Sequence, residues 1–386
     1  MSARRKGAGD TGSARLPRDE EGAHGGARGF SAPGDGLVRL AWPDVGAEEA
    51  EAVADVLETG QLTMGPKVAE LEELLASVCD VEHVVAVSSG TAALHLAVLA
   101  LGLQPGDEVI VPAYTFPATA NVVALAGLKP VLVDVDPVTM NIDPARIEPT
   151  RRTKAIVPVH LFGRPSRIEE LPALTVIEDA AGALGARRRG RACGGLGLLG
   201  CLSFHPRKIV TTGEGGAVTM NDAGLADAVR QLRHHGWKPP QLADMPVPGL
   251  NYRLSDVLCA VGIPQVVRLE ELLATRQRIA AGYAERLANL PVVLPSADEG
   301  DRHGWQAYVI QVDRRDEVLA ALRARRIEAQ IGTYALHRLS AYADQGAFAG
   351  ADHAFERALA LPFHSRLADS DLDRVAEALT IVVSDC

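Results

Sequence analysis

Between Val84 and Met220 the chain repeats one device, a short apolar run of strand length followed by a helical or glycine-rich stretch. There are seven such runs: VVAVSS, EVIVPA, PVLVDV, AIVPVH, TVIEDA, CLSFH and GAVTM. Apolar strands without polar alternation are buried on both faces, which requires helices above and below a largely parallel sheet. The spacing therefore predicts an α/β fold, with a mostly parallel seven-stranded sheet in a large domain. Open sheets of this kind bind ligands outside the carboxyl ends of their strands. The Gly, Pro and polar residues that end these runs mark where chemistry should gather.

The flanks set the domain organisation. Residues 1–36 are rich in Gly, Arg, Ala and Asp with almost no large apolar side chain. They cannot offset the entropy of ordering and read as a disordered tail. From Leu37 apolar residues recur at helical spacing, and GQLTMGP breaks that stretch into two helices. After Pro264 the segment VVRLEELLATRQRIAAGYAERLANL reads as one long amphipathic connecting helix. Beyond it YVIQV and AQIGTY read as strands and DEVLAALRAR as a helix; DSDLDRVAEAL reads as a last helix, opened by capping types at Asp369 to Asp371. The expectation is a large ligand-binding domain over 37–264 and a smaller C-terminal α/β domain, with its connecting helix, over 265–386.

A formal net charge of −10 gives no general attraction to nucleic acid or to an anionic membrane. Five cysteines without C-x-x-C or Cys/His ligand spacing predict buried thiols in a reducing compartment and no metal site. The N-terminal stretch is charged but lacks an apolar core, so it is no secretory signal, and no later run reaches membrane-spanning length. The expected location is the cytoplasm.

Three segments carry chemistry. Ser88-Ser89-Gly90-Thr91-Ala92-Ala93-Leu94 joins a strand to a helix. Free backbone N–H groups and hydroxyls at such a helix start suit a phosphate, although the segment reads equally as an ordinary N-cap. Glu178-Asp179-Ala180-Ala181 puts an acid at the end of a buried strand. A carboxylate there keeps its charge beside a cation, such as a protonated pyridine nitrogen, or serves as a capping or salt-bridged group. Ser203-Phe204-His205-Pro206-Arg207-Lys208, followed by TTGEGG, puts a lysine between a strand and a glycine-rich turn, with Arg207 beside it to favour the neutral amine. A surface lysine is the alternative.

The order SSGTAAL, VPAYTFPATAN, EDAA, SFHPRK with TTGEGG, and GLNYRLSD resembles the DegT/DnrJ/EryC1/StrS family of aminotransferases dependent on pyridoxal 5'-phosphate (PLP), from about Trp42 to the C-terminus. The resemblance implies a fold-type I PLP-dependent transferase of amino-sugar biosynthesis, including that of secondary metabolism. Its amino donor would be glutamate or glutamine and its acceptor a nucleotide-linked keto sugar, the two taken in turn by a ping-pong mechanism. A keto-cyclitol or aminobenzoate-type unit is the alternative acceptor, and a non-catalytic regulatory PLP-binding protein the alternative class. A dehydratase branch replaces the Schiff-base lysine with histidine, and Lys208 argues against it.

Carried over by residue, the resemblance implies that Lys208 forms the Schiff base and Asp179 meets the pyridine nitrogen. Phe116 would stack on the ring, Gly90, Thr91, Ala92 and Ser203 would hold the phosphate, and Asn251 would reach it from the neighbouring subunit of a homodimer. His205, Arg253, Tyr334 and His337 are candidate substrate contacts. Two departures stand out: Gly182, where the family often has Gln or His near the ring's phenolic oxygen, and Arg207, where it frequently has Thr. His234 and His235 read as loop structure, and ARRRGR around Arg187 to Arg191 as a solvated turn.

Overall fold

The structure, a computed structural model, describes residues 36–237 and 244–384. The stretch read as a disordered tail lies outside the described residues apart from Gly36. All seven apolar runs form strands: β1 (His83–Val87), β2 (Glu108–Pro112), β3 (Lys129–Val133), β4 (Thr153–Ile156), β5 (Thr175–Asp179), β6 (Leu199–Ser203) and β7 (Gly216–Met220). They make one sheet in the order β1-β7-β6-β5-β4-β2-β3. From β6 to β3 every pair is parallel, whereas β7 runs antiparallel to both β6 and β1.

Successive strand residues face opposite sides, and β1 shows what each side meets. Val85 and Val87 enter a core with Leu96 and Val98, and Val84 and Ala86 enter another with Leu71 and Leu75. The GQLTMGP break separates α1 (Ala47–Thr59) from α2 (Pro66–Cys79), as its turn residues require. Helix α3 (Gly90–Ala100) buries Ala92, Ala93, Leu94, Leu96, Ala97 and Val98. Each fully buried Leu or Val contributes about 1.5–3 kcal/mol, so the layered sheet is the main stabilising element. Helices α4 (Ala118–Leu125) and α5 (Ala223–Arg233) complete the layers. Among the described residues no helix is long and apolar enough to cross a membrane.

The connecting helix departs from expectation. Pro264 lies inside α6 (Asp256–Val267), and the chain breaks at Arg268 before α7 (Leu269–Leu287). The Arg268 guanidinium donates to Glu49 Oε1 at 2.6 Å and to the Asp44 carbonyl at 2.8 Å, which pins the corner. Next come β8 (Tyr308–Gln311), α8 (Arg315–Ala324), β9 (Gln330–Ile331), α9 (Ala349–Arg357), β10 (Ala358–Leu361) and α10 (Asp369–Ser384). β8, β10 and β9 form an antiparallel sheet in that order. AQIGTY is not one strand: Tyr334–Ala335 pairs instead with Tyr114–Thr115. The chain parts at Gly332, where a Cβ would lie 2.5 Å from Tyr114 Oη and 2.8 Å from Ala358 Cβ, so only glycine permits the close approach.

The ARRRGR turn is also corrected. Arg187–Arg188 and Arg191–Ala192 pair as a hairpin, and Arg188 is buried. Its guanidinium donates to Asp298 at 2.9 Å and Asp301 at 2.7 Å, and also meets Glu169. Hydrogen bonding from Arg167, with help from Arg188 and Arg164, holds the Asp298 carboxyl well below its usual range. A carboxyl depressed in the folded state stabilises the fold above its unfolded value, about 3.9, and that contribution is lost as pH falls below it. Thermal unfolding followed from pH 7 downward should therefore show a steep acid limb that Asp298→Asn flattens. An unchanged limb would remove this network from the account of acid stability.

Candidate active site

The carboxyl ends of β5 and β6 and the start of α3 meet around a cavity of about 430 Å³, a volume suited to a small cofactor with part of a substrate. The α3 start gives one wall. The Ser89 hydroxyl caps the helix by accepting from the Ala92 amide at 3.0 Å. The amides of Gly90 and Thr91, in the first turn, have no intrahelical acceptor and carry the positive end of the helix dipole. A Cβ on Gly90 would lie 2.7 Å from Ser203 Cβ, so glycine is what lets this turn close onto the end of β6.

Glu178 and Asp179 are adjacent on β5 but serve opposite sides of the sheet. Glu178 is fully buried and away from the cavity, accepting from His160 Nε2 and the amides of Gly194, Leu196 and Gly197 at 2.6–2.8 Å. His160 Nδ1 accepts from the Ser166 amide at 2.8 Å, so both ring nitrogens are engaged. Asp179 turns into the cavity, where Oδ2 accepts from Thr119 Oγ1 at 2.8 Å and Oδ1 from the Ala181 amide at 3.2 Å. No cationic side chain forms an ion pair with it among the described residues. A buried carboxylate held by neutral donors alone fits a protonated ring nitrogen.

Lys208 enters from the loop between β6 and β7. Ser203 and Gly216 are cross-strand partners, the Phe204 amide donates to the Gly215 carbonyl at 2.8 Å, and the Thr212 amide donates to the Phe204 carbonyl at 3.0 Å. The Gln265 amide clamps Thr211, accepting from its N–H at 3.0 Å and donating to its carbonyl at 2.7 Å. Burial pushes the Lys208 ammonium down from its usual range; Asp179 opposes this and Arg207 adds to it. A neutral amine is the nucleophilic form.

Of the residues singled out in the sequence, Ser89, Gly90, Thr91, Phe116, Asp179, Gly182, Ser203, His205, Arg207 and Lys208 line this cavity. Ala92 does not, its amide being taken by Ser89. Phe116 is 61 % exposed at the cavity and meets Tyr334 edge-on at 6.3 Å, but Tyr334 is not itself in the lining. His337 is buried against Asp352, with Nε2 to Oδ1 at 3.0 Å. Arg253 meets His234 Nδ1 at 2.6 Å, and Asn251 is exposed outside the cavity of its own chain.

The sequence left out Thr119, Gln306 and Thr333. Thr119 stood in YTFPATAN, but nothing there tied it to Asp179. Gln306 lines the cavity, packs 3.5 Å from where a Cβ on Gly182 would sit, and donates from Nε2 to the Arg207 carbonyl at 3.1 Å.

An amine, a carboxylate, an anion-binding helix start and an exposed aromatic ring around one cavity are the groups PLP requires, and these residues fit it. The DegT/DnrJ/EryC1/StrS aminotransferase family model matches residues 43–380. The chain is 38 % identical over 364 residues to GDP-perosamine synthase from Caulobacter vibrioides, covering 90 % of this chain and 98 % of that one. DesV from S. venezuelae is 35 % identical with a TM-score of 0.82, over 86 % of this chain and 93 % of that one. The PLP form of the putative sugar aminotransferase Spr1654 from Streptococcus pneumoniae is 27 % identical with a TM-score of 0.85, over 90 % and 99 % respectively. The chain belongs to the DegT/DnrJ/EryC1/StrS family and is a PLP-dependent aminotransferase of the sugar aminotransferase kind.

Proposed function

We propose that the enzyme moves an amino group from glutamate or glutamine to a nucleotide-linked keto sugar, with Lys208 and Asp179 as its catalytic pair. The observation that carries this is that the two side chains enter one cavity from different strand ends. The similarity to a GDP-perosamine synthase supports a nucleotide-linked acceptor. When bound, PLP supplies an aldehyde for the amine and a ring that takes up the electrons of the broken C–H bond.

Lys208 would hold the cofactor at rest, and its freed amine would carry the proton between carbon atoms during turnover. Asp179, fixed by Thr119, would face the ring nitrogen and keep it protonated. Gly90, Thr91 and Ser203 would hold the phosphate, and Phe116 would cover one ring face. Donor and acceptor use the same amine in turn, so the kinetics are ping-pong. Asn251, outside its own cavity, would complete the site of a second copy in a homodimer. The four cysteines among the described residues are free and buried, which accords with a reducing cytoplasm. The seven-stranded and three-stranded sheets, which share no strand, support a large domain over 37–264 and a smaller one over 265–386.

The test is incubation with L-glutamate and a panel of keto sugars linked to GDP and to other nucleotides, with the amine product followed by mass spectrometry. Amination of a keto-cyclitol, and of no nucleotide-linked sugar, would reassign the acceptor. Asp179→Asn should lower kcat by about a hundredfold, the scale of a lost hydrogen bond to a charged group. A kcat within a few-fold of wild type would take Asp179 out of the catalytic pair.

A further inference from the structure

Several buried arginines meet carboxylates. Arg188 meets three carboxylates, Arg233 meets Glu72 at 2.9 Å and Arg164 meets Asp298 at 2.7 Å. Arg276 forms no ion pair among the described residues, but donates to the carbonyls of Trp305 and Gln306 at 2.9 and 3.2 Å. Arg207 differs. It is partly buried, lines the same cavity as Lys208, and forms no ion pair among the described residues. Of its five N–H donors, the structure gives Nη1 a neutral partner, Gln330 Oε1 at 2.7 Å. Glu214 also lines the cavity but forms no ion pair with it. Burial pulls the guanidinium down from its usual range, and the acidic group that acts against this is Tyr334. A partly desolvated cation on a residue that lines a cavity, without a counter-ion, is costly until an anion arrives.

The reaction brings such an anion. An α-amino acid carries its carboxylate on the carbon that bears the amine, and that amine must reach the place held by the Lys208 amine. The carboxylate then lies within a few bonds of the Lys208 amine, in the cavity that Arg207 also lines. The planar fork of Arg207 suits two-point contact with a carboxylate. A keto sugar has no carboxylate at its reacting carbon, so the contact belongs to the donor alone.

We propose that Arg207 receives the α-carboxylate of the amino donor and so selects amino acids as donors; this rests on the reading of Lys208 as the cofactor-bearing residue. The test uses PLP-loaded wild type, Arg207→Gln and Arg207→Lys, with the visible band of the lysine-bound cofactor read first and its loss then followed against L-glutamate concentration. The band should be present in both variants. The half-saturating glutamate concentration should rise about 10- to 100-fold in Arg207→Gln and less in Arg207→Lys, which keeps the charge but not the fork. The limiting rate should change far less, as for a group that binds donor in ground and transition states alike. An unchanged glutamate dependence overturns the proposal. Loss of the band in Arg207→Gln also overturns it, assigning Arg207 to cofactor holding or loop shape. A wild type without the band fails at Lys208 itself and takes the proposal with it.

Discussion

Lys208→Ala should be inactive, with kcat reduced by about 10⁴-fold or more, and should show no visible cofactor band when wild type shows one. Two functions are lost together. The lysine-bound cofactor cannot form without the amine, and proton carriage by a placed general base is worth up to about 10⁴-fold by itself. The loss should be local, because Lys208 Nζ makes no hydrogen bond or ion pair among the described residues and the loop is closed by the backbone and Gln265. The circular dichroism and melting point of the variant should match those of unloaded wild type. A variant that keeps both the band and turnover would place the covalent attachment elsewhere and remove the basis of the mechanism.

Glu178→Leu should destabilise the fold by about 3–5 kcal/mol, the scale seen when one partner of a buried charged network is removed. The carboxylate is the shared acceptor for one imidazole and three main-chain amides. Its loss leaves those donors dry and unpaired, each at a cost of about 1–3 kcal/mol before relaxation. Against total stabilities of about 5–15 kcal/mol, this is a large fraction, and urea unfolding of the unloaded protein reads it directly. A midpoint shift equivalent to less than about 1 kcal/mol would mean that water replaces the carboxylate. Glu178→Leu and Asp179→Asn together separate stability from catalysis at adjacent positions.

How legible the fold was depended on where burial lies. The seven runs of the large sheet could be read because both faces are covered, so each strand is apolar throughout. The strand Ala358–Leu361 was not, since ALAL has weak β-propensity and follows helix α9 without a turn signal. It is nevertheless the central strand of the smaller sheet. The hairpin at Arg187–Ala192 was missed because its buried charge is neutralised by Asp298 and Asp301, more than a hundred residues away. Pairing at that distance leaves no local trace. The same holds at the site: Lys208, Asp179 and the helix start sit in compact motifs, whereas Gln306 reaches the cavity from a segment with none. The acid pair by itself did not say which of Glu178 and Asp179 faces the cavity; the family resemblance singled out Asp179.

The loop that carries Lys208 is tied to one sheet at both ends, through Ser203 and Gly216, and again at Phe204 and Thr212. Its perimeter is therefore a fixed length of chain. One residue added or removed between those ties would displace the lysine by up to about 3.8 Å, the span of one trans peptide, which is most of the reach of its own side chain. A change along this segment that leaves Lys208 in place is thereby an exchange of side chain at constant length, so residue 207 can be substituted without moving the lysine, whereas a residue cannot be added or removed.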